Sequence, residues 1–127
     1  MKLRATSFAT DQDLVAYRKC LDSGHSDSYC TSHAGGGDNG EGAWGDDTTS
    51  RTHAYCALGP TLQKKHQSLN VTLYAKGTTD RMGNTFRCIQ GDRGNEGIID
   101  LNPGALLAAG LNPNLELDAD AVVVFID

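Results

Sequence analysis

Along SLNVTLYAKG, residues 68–77, Leu69, Val71, Leu73 and Ala75 fall on one side of an extended chain and mostly polar residues on the other. That period of two is the mark of a half-buried strand. GNTFRCIQG (83–91) sets Thr85, Arg87 and Ile89 against Phe86 and Cys88 in the same way, and LRATSF (3–8) alternates as an opening strand. HAYCAL (53–58) predicts a short strand ended by Gly59-Pro60, GIIDL (97–101) a brief buried strand, and DADAVVVFID (118–127) a closing run rich in β-branched residues. Helical spacing occurs twice. Leu14, Tyr17, Arg18 and Leu21 recur at it after Asp11, an aspartate suited to capping. NPGALLAAGL places Asn102 as N-cap, Pro103 at the first helical position and Gly110 near the end.

Between residues 22 and 52 neither period holds. This stretch is rich in Gly, Ser, Asp and Thr, with isolated apolar side chains such as Trp44, and it contains too little apolar surface for a core of its own. A loop of this length inside one domain is commonly functional or disordered. The predicted order is strand, helix, long loop, three strands, short strand, helix, strand. It describes a mainly β fold with six strands, two short helices and a Gly/Asp-rich N-terminal insertion at 22–52.

The chain has 127 residues, room for a single domain over 1–127. A formal net charge of -5 argues against nucleic acid as a partner, because tracking phosphates needs an excess of Lys and Arg. The basic clusters, Lys64-Lys65-His66 and the region from Arg81 to Arg87, read as solvated surface. No stretch is long and apolar enough to span a membrane, and MKLRATSFATDQD turns polar before a secretory apolar run can form. Localisation is therefore open, with export, release on lysis or carriage in a phage particle as routes.

Cys20, Cys30, Cys56 and Cys88 form no C-x-x-C, so a zinc site is not indicated. Cys20 with Cys30 and Cys56 with Cys88 is the expected disulfide pairing. Sequence leaves all three connectivities open, and four reduced thiols are an equal alternative. The four histidines lack ligand spacing, and GGGDNGEGAWGDD, with Asp38, Asn39, Glu41, Asp46 and Asp47, lacks the EF-hand pattern. No metal or cofactor is expected.

Asp92-Arg93-Gly94, then Ile99-Asp100-Leu101-Asn102, then an Ala-rich helix from Pro103 to Leu111 and the final β run resemble, in order and spacing, the double-psi β-barrel domain of rare-lipoprotein-A-like proteins, expansins and related endoglucanases. The opening RATSF is similar to that family's first strand. The likeness covers residues 1–10 and about 54–127, and implies a small six-stranded double-psi barrel with a polysaccharide groove. It implies the catalytic carboxylate of the transglycosylases at Asp92 and the proton donor of the endoglucanases at Asp100. Asp11 lies one residue late for the endoglucanases' further aspartate. One departure stands out: the family's histidine before Leu-Pro has no counterpart in HAYCALGP, where His53 is two residues early and Tyr55 or Cys56 takes its place.

A carboxylic acid delivers a proton to a glycosidic oxygen when burial or a neighbouring like charge lifts its pKa. The expected catalytic residues are therefore Asp92, Asp100 and Asp11. Trp44, whose indole suits a sugar ring, together with Tyr55 and Arg93, is the expected substrate-binding set. The aspartates and Trp44 have bland alternatives: Asp11 as a helix cap, Asp100 as a helix cap or the holder of a turn, Asp92 in an ion pair with Arg81, Arg87 or Arg93, and Trp44 as a plug anchoring the loop. The expected function is action on a cell-wall polysaccharide, peptidoglycan first, by a lytic transglycosylase or glycoside hydrolase reaction or by binding. The alternative is a non-catalytic module with protein partners in an assembly such as a phage particle.

Overall fold

The computed structural model describes residues 1–33 and 39–126. Asp38, weighed above as an oxygen ligand, lies outside the described residues. Six strands form one sheet: β1 (Lys2–Ser7), β2 (Tyr55–Leu58), β3 (Ser68–Ala75), β4 (Phe86–Arg93), β5 (Ile98–Leu101) and β6 (Asp118–Ile126). Three helices accompany them, α1 (Asp11–Asp22), α2 (Asp27–His33) and α3 (Pro103–Ala108). The strand order is β1-β5-β2-β4-β3-β6, and β6 pairs back onto β1, so the sheet closes on itself. β1 with β5 and β2 with β4 run parallel; the other neighbours are antiparallel. No helix among the described residues is long and apolar enough to cross a membrane.

The alternation read from the sequence is what fills the interior. Leu69, Val71 and Leu73 of β3, Phe86 and Cys88 of β4, Ile99 and Leu101 of β5, and Ala119, Ala121 and Val123 of β6 point inward and are buried. The alanines sit where β6 crosses β1, with Ala5 opposite Ala119 and Leu3 opposite Ala121. Small side chains there let two strands of a narrow barrel pack closely. α3 lays Ala105 and Leu106 on the same core, and Asn102 caps it by accepting from the Ala105 N–H at 2.8 Å.

Three expectations are corrected. The insertion contains a helix, α2, so the described residues hold three helices and not two. Its sequence DSYCTSH is a poor helix former, and seven residues are too few to hold a helix unaided. A disulfide from Cys20 in α1 to Cys30 in α2 fixes it instead, with Cys30 fully buried. Second, Cys56 and Cys88 are free thiols inside the barrel. The register pairs Cys56 with Gln90, which leaves Cys88 a diagonal neighbour, in thiol contact but without the directly apposed Cβ atoms a disulfide needs. Third, α1 is capped by Thr10 and not by Asp11: the Thr10 hydroxyl accepts from the Asp13 N–H, and the Asp13 carboxylate accepts from the Thr10 N–H.

Because the disulfide tethers α2 while the barrel core lies elsewhere, replacing Cys20 by Ser removes a constraint worth about 2–4 kcal/mol from the insertion only. Limited proteolysis of Cys20→Ser is expected to cut between residues 22 and 50 at least tenfold faster than in the wild type, while barrel unfolding keeps its midpoint. Global loss of the fold would contradict this division.

Candidate functional site

The site is built by register. Residues directly opposite each other on neighbouring strands share a face. Thr6 pairs with Asp100, Asp100 with Ala57, and Ala57 with Asp92. One row, Thr6–Asp100–Ala57–Asp92, therefore crosses four adjacent strands on the outer face of the sheet.

Asp92 belongs to that row because of a fault in the ladder. On β4 the inward series Phe86, Cys88, Gln90 would make Asp92 the next inward residue. The β2–β4 register instead shifts between Cys56 and Ala57, opposite Gln90 and Asp92, and Gly91 is the additional residue. Such a bulge reverses the side-chain alternation beyond it, and Asp92 emerges on the same face as Asp100.

The insertion docks on this bulge. A Cβ on Gly42 would lie 1.9 Å from the Gly91 carbonyl oxygen, and one on Gly91 would lie 2.6 Å from the Tyr55 ring, so both positions are held to glycine by close approach. The next residue, Ala43, donates its N–H to Asp92 Oδ1 at 2.8 Å, and that oxygen also accepts from the Arg93 N–H at 2.8 Å. The far end of the loop is held by the fully buried Asn102. Its amide nitrogen donates to the carbonyls of Thr48, Ser50 and His53, and its Oδ1 accepts from Tyr55 N–H as well as Ala105 N–H.

The result is a cavity of about 580 Å³ between barrel and insertion. Asp92, Ala57 and Asp100 form its barrel side, with Phe8 and Arg93 at the edges. Asp27, Ser28 and Thr31 of α2, followed by Glu41, Gly42 and Ala43, form the opposite wall. A volume of this order accommodates a ligand the size of one or a few sugar rings.

Asp100 is largely buried, and its carboxyl is pushed above the ordinary carboxylate value. Desolvation is the main cause; the negative charges of Asp13 and Asp92 add to it, and a hydrogen bond from Thr6 Oγ1 to Oδ1 at 2.7 Å works against it. Oδ2 of Asp100 has no hydrogen-bond partner among the described residues. The carboxyl of Asp13 is also raised, chiefly by burial, despite its capping bonds.

The expected residues divide. Asp92, Asp100 and Arg93 meet at the cavity. Asp11 does not line it; its carboxylate accepts from Arg51 at 3.3 Å and from the Asn114 side chain at 3.1 Å, pinning the start of α1 to the 112–115 turn. Trp44 is half-buried, with its ring edge-on to His66 at 6.2 Å between centroids, and His66 in turn contacts Asp46 at 2.7 Å. Tyr55 lies against Gly91 and lines a second, shallower cavity with His53, Arg87 and Ile89. Asn102, and not Asp100, is the cap of α3, and Asp92 has no ion pair with an arginine among the described residues.

Sequence reasoning missed Asp13 and the α2 wall. Asp13 carried a signal, the Thr-x-x-Asp of a capping box, which places a carboxylate in the first helical turn next to the end of the opening strand. Comparison of the chain with protein-family models, with curated proteins and with solved structures gave no match.

The raised pKa of Asp100 has a definite sign in stability. A carboxyl whose pKa is higher in the fold than in the unfolded chain favours the native state at low pH, and that contribution is lost as pH rises through the folded value. Asp100→Asn keeps the Thr6 hydrogen bond and removes the buried charge. It is expected to raise the melting temperature at pH 7 and to leave it unchanged at pH 3, measured by calorimetry. A lower melting temperature at pH 7 would mark Asp100 as a structural group.

Proposed function

We propose that the chain is a double-psi β-barrel acting on a cell-wall polysaccharide of the peptidoglycan class, with the cavity between barrel and insertion as the sugar site and Asp100 as proton donor. The observation that carries this reading is the convergence of Asp92 and Asp100 on one cavity, with the Asp100 carboxyl lifted by burial and by neighbouring negative charge. A carboxyl near its pKa at working pH is the group that protonates a glycosidic oxygen as the bond to the leaving sugar breaks.

The second group sets the reaction type. Asp92 and Asp100 are separated by one intervening strand, about 10 Å between Cα atoms at the usual strand spacing. Carboxyls about 5 Å apart support a covalent glycosyl-enzyme, whereas wider pairs leave room for an attacking water. The pair supports inverting hydrolysis, with Asp92 Oδ2 taking the proton of the water, or transglycosylation, in which the hydroxyl of the sugar itself attacks.

Binding without cleavage is the second reading, and one observation favours it. Asp92 Oδ1 is already engaged by two backbone N–H groups, so Asp92 serves the docking of the insertion.

Release of soluble fragments from purified peptidoglycan, followed by mass spectrometry, tests the proposal. Asp100→Asn is expected to lower release by about 10²–10⁴-fold with the fold intact. Reducing ends from the wild type indicate hydrolysis, and anhydro-sugar ends indicate transglycosylation. No release by folded wild type, with retention on the same material in a pull-down, would leave the binding reading in place and sink the catalytic one.

A further inference from the structure

Carboxylates gather at the cavity with little to balance them. Elsewhere Asp11 pairs with Arg51 at 3.3 Å, Asp118 with Arg4 at 3.1 Å and Lys76 at 3.2 Å, and Asp120 with Lys2 at 4.0 Å. Within the cavity, Asp27, Glu41, Asp92 and Asp100 face a single cation, Arg93, and none of the four has an ion pair among the described residues.

Two of these four come from the insertion. Asp27 lies in the first turn of α2, whose position the Cys20–Cys30 disulfide fixes, and its carboxylate accepts a hydrogen bond from the Tyr17 hydroxyl. Glu41 lies beside Gly42, the residue seated on the bulge. Both are thus held on the wall opposite the catalytic row, at sites the family resemblance does not cover. A concave site lined by one sign of charge focuses its potential on the ligand. Such a cavity disfavours an anionic sugar such as one bearing a lactyl carboxylate or a phosphate, and favours one that carries an ammonium.

We infer that Asp27 and Glu41 are specificity-determining residues that select glycans containing unacetylated amino sugars, whose 2-ammonium group faces the insertion wall of the cavity. The inference rests on the proposed glycan site and adds the charge class of its substrate.

The test is calorimetric titration of the full chain with two oligomers of equal length, one of glucosamine and one of N-acetylglucosamine, at a pH where the free amines are charged. The Asp100→Asn variant serves as the protein so that cleavage does not intrude. The glucosamine oligomer is expected to bind about fivefold or more tightly, with the preference shrinking as salt is raised, since partly exposed charge pairs are weak and screened. Asp27→Asn with Glu41→Gln is expected to abolish the preference, the glucosamine oligomer losing about fivefold or more in affinity while the acetylated oligomer still binds. That retained binding is also the check that the cavity remains formed.

Equal binding of the two oligomers, or a preference that survives the double substitution, would overturn this inference and leave the glycan site standing. Binding of oligolysine as tight as that of the glucosamine oligomer would overturn it in favour of an indiscriminate polycation surface. Failure of both sugars to bind would overturn the inference and the proposed glycan site together.

Discussion

Between Cys56 and Ala57 the pairing of β2 with β4 slips by one residue, and most of the candidate site follows from that slip. With the ladder in register, Asp92 would project into the aliphatic interior beside Gln90, an environment that does not tolerate an unpaired carboxylate. The additional residue turns it outward, into the row that already holds Thr6, Asp100 and Ala57. Because that residue is Gly91, a flat patch of backbone is also exposed, on which Gly42 rests from one side and the Tyr55 ring from the other. The insertion is thereby anchored within hydrogen-bonding distance of Asp92, and its α2 helix becomes the opposite wall of the cavity.

The row places carboxyl groups of like sign near one another and takes one of them largely out of water. That arrangement opposes folding, since an ionised Asp100 loses hydration and feels Asp13 and Asp92. The surrounding structure compensates. Thr6 supplies one hydrogen bond, and the aliphatic interior is filled by regular alternation. Asn102 gathers the loop end, the start of β2 and the first turn of α3 on a single buried amide. Its five hydrogen bonds satisfy backbone groups that would otherwise be orphaned where three segments converge.

Much of this was legible in the sequence, for local reasons. β1, β3 and β4 follow from period-two runs, β2, β5 and β6 from short apolar or β-branched runs, and α3 from Asn102-Pro103, because these signals are encoded within a few residues. The expected pairing of Cys20 with Cys30 is also present, and Asp92 and Asp100 both line the cavity. What escaped depends on contacts between distant residues. α2 forms from weak helix formers because a disulfide and a neighbouring helix hold it. The bulge is invisible in FRCIQGDR, where Gly91 simply extends the alternation until β2 shows the slip. Cys56 and Cys88 sit on neighbouring strands as expected, yet they meet on a register diagonal as free thiols. Asp11 and Asp13 are equivalent by proximity to the first strand, and only the helical turn decides that Asp13 closes the capping box with Thr10 while Asp11 faces Arg51 and Asn114.

The central claim is that Asp100 is a desolvated carboxyl held in a shared cavity by Thr6 and under the influence of Asp92. Carbon-13 NMR titration of the Asp100 carboxyl in the wild type, beside Asp92→Asn and Thr6→Val, measures this directly. The account predicts a wild-type pKa above the ordinary carboxylate value, a fall in Asp92→Asn as a negative charge is removed, and a further rise in Thr6→Val as the favourable hydrogen bond is lost. A wild-type value at or below the ordinary one, unmoved by either substitution, would contradict it.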